Sequence, residues 1–223
     1  MSRRCKNRPV EKELTTALAG VRDAFARYPR RAVLDGCPHC RGSVLVDEHD
    51  LFSLTISLGN TVGSRADVKA LLPVLLERLL GSDDLDPAIV LGKLPRQEWR
   101  TWPRVEQEAV DAYLDAVWRS LLTDHPPRLG SFTDPATFLD AARAAGERVE
   151  RFLAVWDATP TPSADRHLAE MVARLDFAKP KPSVLGVWLR RKATRDRLHR
   201  AWERDHDSPW ADDLAQAYDL LRV

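Results

Sequence analysis

Pro103-Arg104-Val105-Glu106-Gln107-Glu108-Ala109-Val110-Asp111-Ala112-Tyr113-Leu114-Asp115-Ala116-Val117-Trp118-Arg119-Ser120-Leu121-Leu122 is the stretch on which the fold turns. Val105, Ala109, Val110, Tyr113, Leu114, Val117, Trp118, Leu121 and Leu122 recur at intervals of three and four. That period belongs to an amphipathic α-helix with one buried stripe.

Downstream the same period returns, punctuated by caps. Asp134-Pro135 sets a capping carboxylate before a proline suited to the first helical position. It opens a helix bearing Phe138, Leu139 and Ala142, whose stripe continues through Val149, Phe152, Leu153 and Trp156 to the loop Thr159-Pro160-Thr161-Pro162. Ser163 is the expected cap of the next helix, and Lys179-Pro180-Lys181-Pro182 breaks it in an extended stretch. Ser183 caps a helix with Val184, Val187, Trp188 and Leu189, and Leu198, Ala201 and Trp202 carry on through a basic segment. Ser208-Pro209 opens a terminal helix.

Upstream, Asp86-Pro87 repeats the cap-and-proline device, and Ser64 with Asp67 three residues on opens a helix whose apolar face runs from Val68 to Leu80. Pro73 lies inside it and is expected to kink it. Val10 to Tyr28 forms a first helix, with Leu14, Leu18, Val21 and Phe25 on one face. Strand character is confined to residues 31–47, where Ala32-Val33-Leu34 and Ser43-Val44-Leu45-Val46 flank glycines able to form a turn. The expected fold is all-α: eight to ten helices in an irregular, loosely HEAT-like array, with at most a small hairpin at 31–47. The caps are unequally spaced, which excludes a strict repeat. A basic arm over residues 1–9 and one helical domain over 10–223 complete the expected organisation.

Composition narrows the function. With 44% apolar and 30% charged residues and a net charge of +1, the chain has no global pull toward nucleic acid or anionic membrane. Its most apolar window, Leu71 to Leu80, is interrupted by Pro73, Glu77 and Arg78, so no membrane span is expected. The basic N-terminus leads into no apolar run of the secretory kind. Three cysteines are too few for a disulfide framework, which points to a reducing, cytoplasmic setting.

Gly36-Cys37-Pro38-His39-Cys40-Arg41-Gly42 is the chemically richest segment. A Cys-Pro-x-Cys turn between extended runs has the form of half a zinc ribbon, for which Cys37 and Cys40 would be ligands and His39 and His49 the nearest complements. A thiol redox site would need Cys37 at a helix N-terminus with a sheet behind it. The favoured reading is packing, with two small soft side chains at a tight turn. Asp47-Glu48-His49-Asp50 reads as a helix start, and His199 and His206 are two helical turns apart, too far to share an ion. The common hydrolase, phosphate-loop and dinucleotide motifs are absent.

Two surfaces suggest partners. Arg190, Arg191, Lys192, Arg195, Arg197 and Arg200 form a basic run able to meet phosphates, against the plainer reading of a solvated helix face. Trp99 and Trp102 lie in a connector and are the expected anchors for a protein partner. The leading expectation is a non-enzymatic protein-binding scaffold. A zinc- or thiol-dependent activity at Cys37 and Cys40 is the first alternative and nucleic-acid binding the second.

The segment Gly36 to Cys40, the helix start Asp67-Val68-Lys69-Ala70-Leu71-Leu72-Pro73, Lys93-Leu94 with Trp99-Arg100-Thr101-Trp102-Pro103, and Tyr113 to Trp118 with Leu121-Leu122 together resemble a family of uncharacterised, actinobacterial-type helical proteins. The resemblance covers most of the chain after Phe25. Val62-Gly63 stands where other members have Trp-Gly, and Ala70 where they have histidine. The resemblance implies a helical fold and bacterial origin, and brings no catalytic residue.

Overall fold

A computed structural model describes residues 8–37, 39, 42–46, 50–175 and 183–222. Its helices are α1 (Arg8–Phe25), α2 (Leu51–Ser57), α3 (Arg65–Gly81), α4 (Pro87–Leu91), α5 (Lys93–Arg96), α6 (Arg104–Thr123), α7 (Pro135–Ala144), α8 (Val149–Asp157), α9 (Pro162–Ala173), α10 (Val184–Leu189), α11 (Lys192–Asp205) and α12 (Ala211–Leu220). Between α1 and α2 lies a ribbon of two antiparallel strands, β1 (Val33–Leu34) and β2 (Val44–Leu45). The chain is therefore all-α with a small hairpin. No helix among the described residues is long and apolar enough to cross a membrane.

The stripe read from Pro103 to Leu122 is the middle of the molecule. Val110, Tyr113, Leu114, Val117, Trp118 and Leu121 of α6 are fully buried. Helix α1 packs along α6 and also meets α3, while α7, α8 and α9 cover other parts of α6. Helices α9, α11 and α12 pack mutually, and α4 rests on α7. The Tyr113 hydroxyl donates to the Leu76 carbonyl at 2.9 Å, which ties α6 to α3. From Trp118 an aromatic column runs through Phe138 at 5.0 Å and Trp156 at 5.4 Å to Trp188, 5.3 Å further on. The indole N–H groups of Trp118 and Trp156 donate to the carbonyls of Phe152 and Ala164, so these large rings are buried without losing their polar bond.

The capping grammar is followed at most helix starts but not at Ser208, since α12 begins after Trp210 with no side-chain cap. Ser64 and Asp67 form a reciprocal capping box on α3, and Asp86, Asp134 and Ser183 cap α4, α7 and α10. Helix α9 is capped by Thr161 and not by Ser163: with Pro162 at the first helical position, the device of Asp86-Pro87 recurs two residues earlier than expected. The continuous stripe from Phe138 to Trp156 is split into α7 and α8 at Gly146, whose φ of 82° ends the first helix. Helix α3 runs through Pro73 unbroken.

One polar cluster bolts three helices together. The Glu106 carboxylate is fully buried and accepts from Lys69 Nζ at 2.7 Å, from the Tyr28 hydroxyl at 2.7 Å and from Arg27. The ammonium of Lys69 also lies 4.4 Å from the Trp102 ring centroid and 5.0 Å from that of Tyr28. Burial raises the Glu106 carboxyl pKa, but the bonds from Lys69, Tyr28 and Arg27 outweigh it and hold the pKa below the ordinary value.

Candidate functional site

The hairpin pairs Val33 with Leu45 and Leu34 with Val44, and buries Leu34 while Val33 and Leu45 face solvent. Beyond β1 the backbone is fastened to the loop after α2. Gly36 bridges Val62, the Cys37 amide donates to the Thr61 carbonyl at 2.7 Å, and the Gly63 amide donates to the Asp35 carbonyl at 2.8 Å. A Cβ on Gly36 would stand 1.8 Å from the Gly42 carbonyl oxygen, so this close approach requires glycine. Cys37 is partly buried. His39 is exposed, while Cys40 and His49 lie outside the described residues.

The tryptophan expectation is corrected. Trp99 and Trp102 are only 2% and 4% exposed. Their connector is wound into a 3-10 turn (Trp99–Thr101), and Glu98 before it has φ 52°. Trp99 Nε1 donates to the Ala145 carbonyl and Trp102 Nε1 to the Gln97 carbonyl, both at 2.9 Å, and the Arg100 guanidinium lies 3.7 Å from the Trp99 ring centroid. Both are core residues and not surface anchors. The exposed tryptophan is Trp202 on α11, at 40%.

The basic run is also dismantled in part. Arg197 is buried, donating to Asp165 and to the Trp156 and Thr159 carbonyls, all at 2.6 Å, where it closes the end of α8. Arg191 forks onto Asp157 at 2.9 Å, Lys192 pairs with Asp196, and Arg190 reaches the Gly186 carbonyl. Arg195 is half-buried and Arg200 exposed. A phosphate-binding face thus loses Arg197 outright and finds Arg191 and Lys192 already paired.

Two further features come from tertiary packing. A hollow of about 200 Å³ between α11 and α12 is lined by His199, Trp202, Ala215, Tyr218 and Asp219. The His199 ring meets Trp202 and Tyr218 edge-on, with centroids 6.2 and 5.2 Å apart. Where α6 ends, His125 lies against His167 of α9 with ring centroids 4.5 Å apart, and His125 Nε2 stands 2.7 Å from Glu170 Oε1. Sequence reasoning passed over this group. The His167-Leu168-Ala169-Glu170 spacing, which puts imidazole and carboxylate on one helical face, is the signal that would have found it.

Set against family models, curated proteins and solved structures, the chain has no match in any of the three.

Proposed function

We propose that this chain is a non-enzymatic protein-binding module of the bacterial cytoplasm, belonging to the helical family it resembles, and that it grips a partner polypeptide through the hollow between α11 and α12. The observation that carries this reading is the aromatic lining of that hollow, in which Trp202 remains 40% exposed while Trp99, Trp102, Trp118, Trp156 and Trp188 are buried. Tryptophan and tyrosine beside a concavity are the residues that dominate protein interfaces.

The occupant is a large apolar side chain of the partner. About 200 Å³ is small against drug-sized ligand sites and suited to one such side chain. The single carboxylate of the lining, Asp219, stands 3.5 Å from Arg222 Nη1, and the Arg222 guanidinium lies 5.8 Å from the Tyr218 ring centroid. A cationic ligand would have to displace Arg222 from both groups, whereas an uncharged one leaves them alone.

A random peptide library selected on the purified chain should yield sequences sharing a large aliphatic or aromatic residue. Their affinity should fall roughly tenfold or more with Trp202→Ala, which removes the wall, and with Ala215→Trp, which fills the hollow. Circular dichroism should be unchanged in both variants. Selected peptides that bind the variants as tightly as the parent overturn the proposal.

A further inference from the structure

The end of α6 and the middle of α9 bring together three side chains with no role in the hollow described above. His125 lies two residues beyond the end of α6, and His167 and Glu170 are one turn apart on α9. One nitrogen of each imidazole and one carboxylate oxygen of Glu170 lie within 4.8 Å of one another. His167 is 1% exposed, the His125 side chain 9%, and the Glu170 side chain 42%, so the group is closed on the protein side and open to solvent at the carboxylate.

The hydrogen bonds fix where the lone pairs are. His167 Nε2 is 2.9 Å from the Asp124 carbonyl oxygen, which can only accept, so that nitrogen carries the proton. His125 Nε2 faces the Glu170 carboxylate at 2.7 Å and is a donor for the same reason. In the neutral rings this leaves both Nδ1 atoms as bare lone pairs. Each is enclosed and has no hydrogen-bond partner of ordinary geometry among the described residues. The enclosed lone pair of His167 Nδ1 is costly unless an electron-pair acceptor fills the space, and His125 Nε2, beside Glu170, can join it by passing its proton to the unpartnered Nδ1 of its own ring. His167, whose second nitrogen is anchored on the Asp124 carbonyl, has the arrangement by which proteins orient metal-binding histidines.

We infer that His125, His167 and Glu170 form a binding site for a divalent transition metal of the zinc class, with one coordination position left for water. Two imidazoles and one carboxylate are a ligand set suited to that class. A tetrahedral ion with ligand bonds of about 2.0 to 2.1 Å needs ligand atoms roughly 3.4 Å apart, so the set closes inward on the ion. Glu170, the exposed member, has the room to move. The ion would clip residue 125 to α9 and so stabilise the packing of the helices around the end of α6.

Cobalt(II) is the probe, because its visible spectrum reports ligand type. Chelator-stripped protein titrated with cobalt(II) should bind one equivalent, showing the ligand-field bands of a four- or five-coordinate ion without the intense thiolate charge-transfer band that Cys37 and Cys40 would give. Zinc should displace it and raise the thermal midpoint. Glu170→Gln, at a half-exposed position where folding is not at risk, should weaken binding by roughly tenfold or more, and His125→Asn should abolish the bands. A Cys37→Ser, Cys40→Ser double variant should leave them intact. Failure to bind a stoichiometric ion, binding unchanged in both Glu170→Gln and His125→Asn, or binding lost in the cysteine variant would each overturn the assignment.

Discussion

Glu106 shows what a single residue can decide in this chain. Its carboxylate is fully buried at the meeting of α1, α3 and α6, and each oxygen is held by a cation or a hydroxyl. Removing one member of a buried pair leaves the other charge uncompensated, whereas removing both leaves only a packing defect. Lys69→Met and Glu106→Gln should each cost roughly 3 kcal/mol or more, and the double variant less than the sum, measured by urea denaturation. A strictly additive double variant would mean that the pair does not interact. Arg197 makes a parallel case. Arg197→Ala should cost roughly 3 kcal/mol, because it strands two carbonyls and leaves the buried Asp165 with Arg204 alone, while Arg200→Ala, three residues away and exposed, should stay within about 0.5 kcal/mol. The sequence shows these two arginines as members of one run. Only the packing of α11 on α8 and α9 separates them, and for the same reason His125 and His167, 42 positions apart, could not be paired in advance.

At the scale of the element, legibility follows from how local the determining physics is. The stripe of α6 from Ala109 onward, the capping box at Ser64 and the aspartates before Pro87 and Pro135 depend on residues within a turn or two, and each stands where the sequence puts it, whereas Val105 at the start of α6 is exposed. The Trp99 to Pro103 connector misleads because indoles in a loop look available until the 3-10 turn carries Trp99 under α7's end, where Ala145 accepts from it, and Trp102 lies against Phe25. The hairpin was legible in its strands but not in its attachment to residues 61–63, which is a contact across α2. That attachment depends on Gly36. Gly36→Ala must push the Gly42 carbonyl aside, which should cost about 1 to 3 kcal/mol and speed amide hydrogen exchange at Cys37 and Gly63, while the α6 amides stay protected. Unchanged exchange at Cys37 and Gly63 would show that the clasp tolerates the methyl group.

Over the whole molecule, the ionisable groups give stability a slope in both acid and alkali. In acid, Glu106 lies below its ordinary value of 4.5, and Asp67, held first by Arg31 against the cost of burial, falls from 3.8 to about 2. A lowered folded pKa means that the unfolded chain takes up protons first, so the stability these carboxylates contribute is present above their ordinary values and lost as pH falls through the folded ones. Asp115, raised by burial ahead of the opposing pull of Arg151, works in the other direction. Lys93 governs the alkaline side. Its ammonium is buried against the Leu58 carbonyl at 2.8 Å, and burial, aided by Arg96, lowers its pKa from 10.5 to about 8. Here the folded chain releases its proton before the unfolded one, so stability is depressed below pH 8 and rises between about 8 and 10.5. Lys93→Met fills the same space without a charge to desolvate. It should raise stability at neutral pH by roughly 1 to 2 kcal/mol, after allowing for the lost bond to Leu58, and flatten the alkaline rise. Urea denaturation of parent and variant from pH 7 to 10.5 measures both effects, and a variant curve parallel to the parent's would show that Lys93 titrates no differently in the fold than in the unfolded chain.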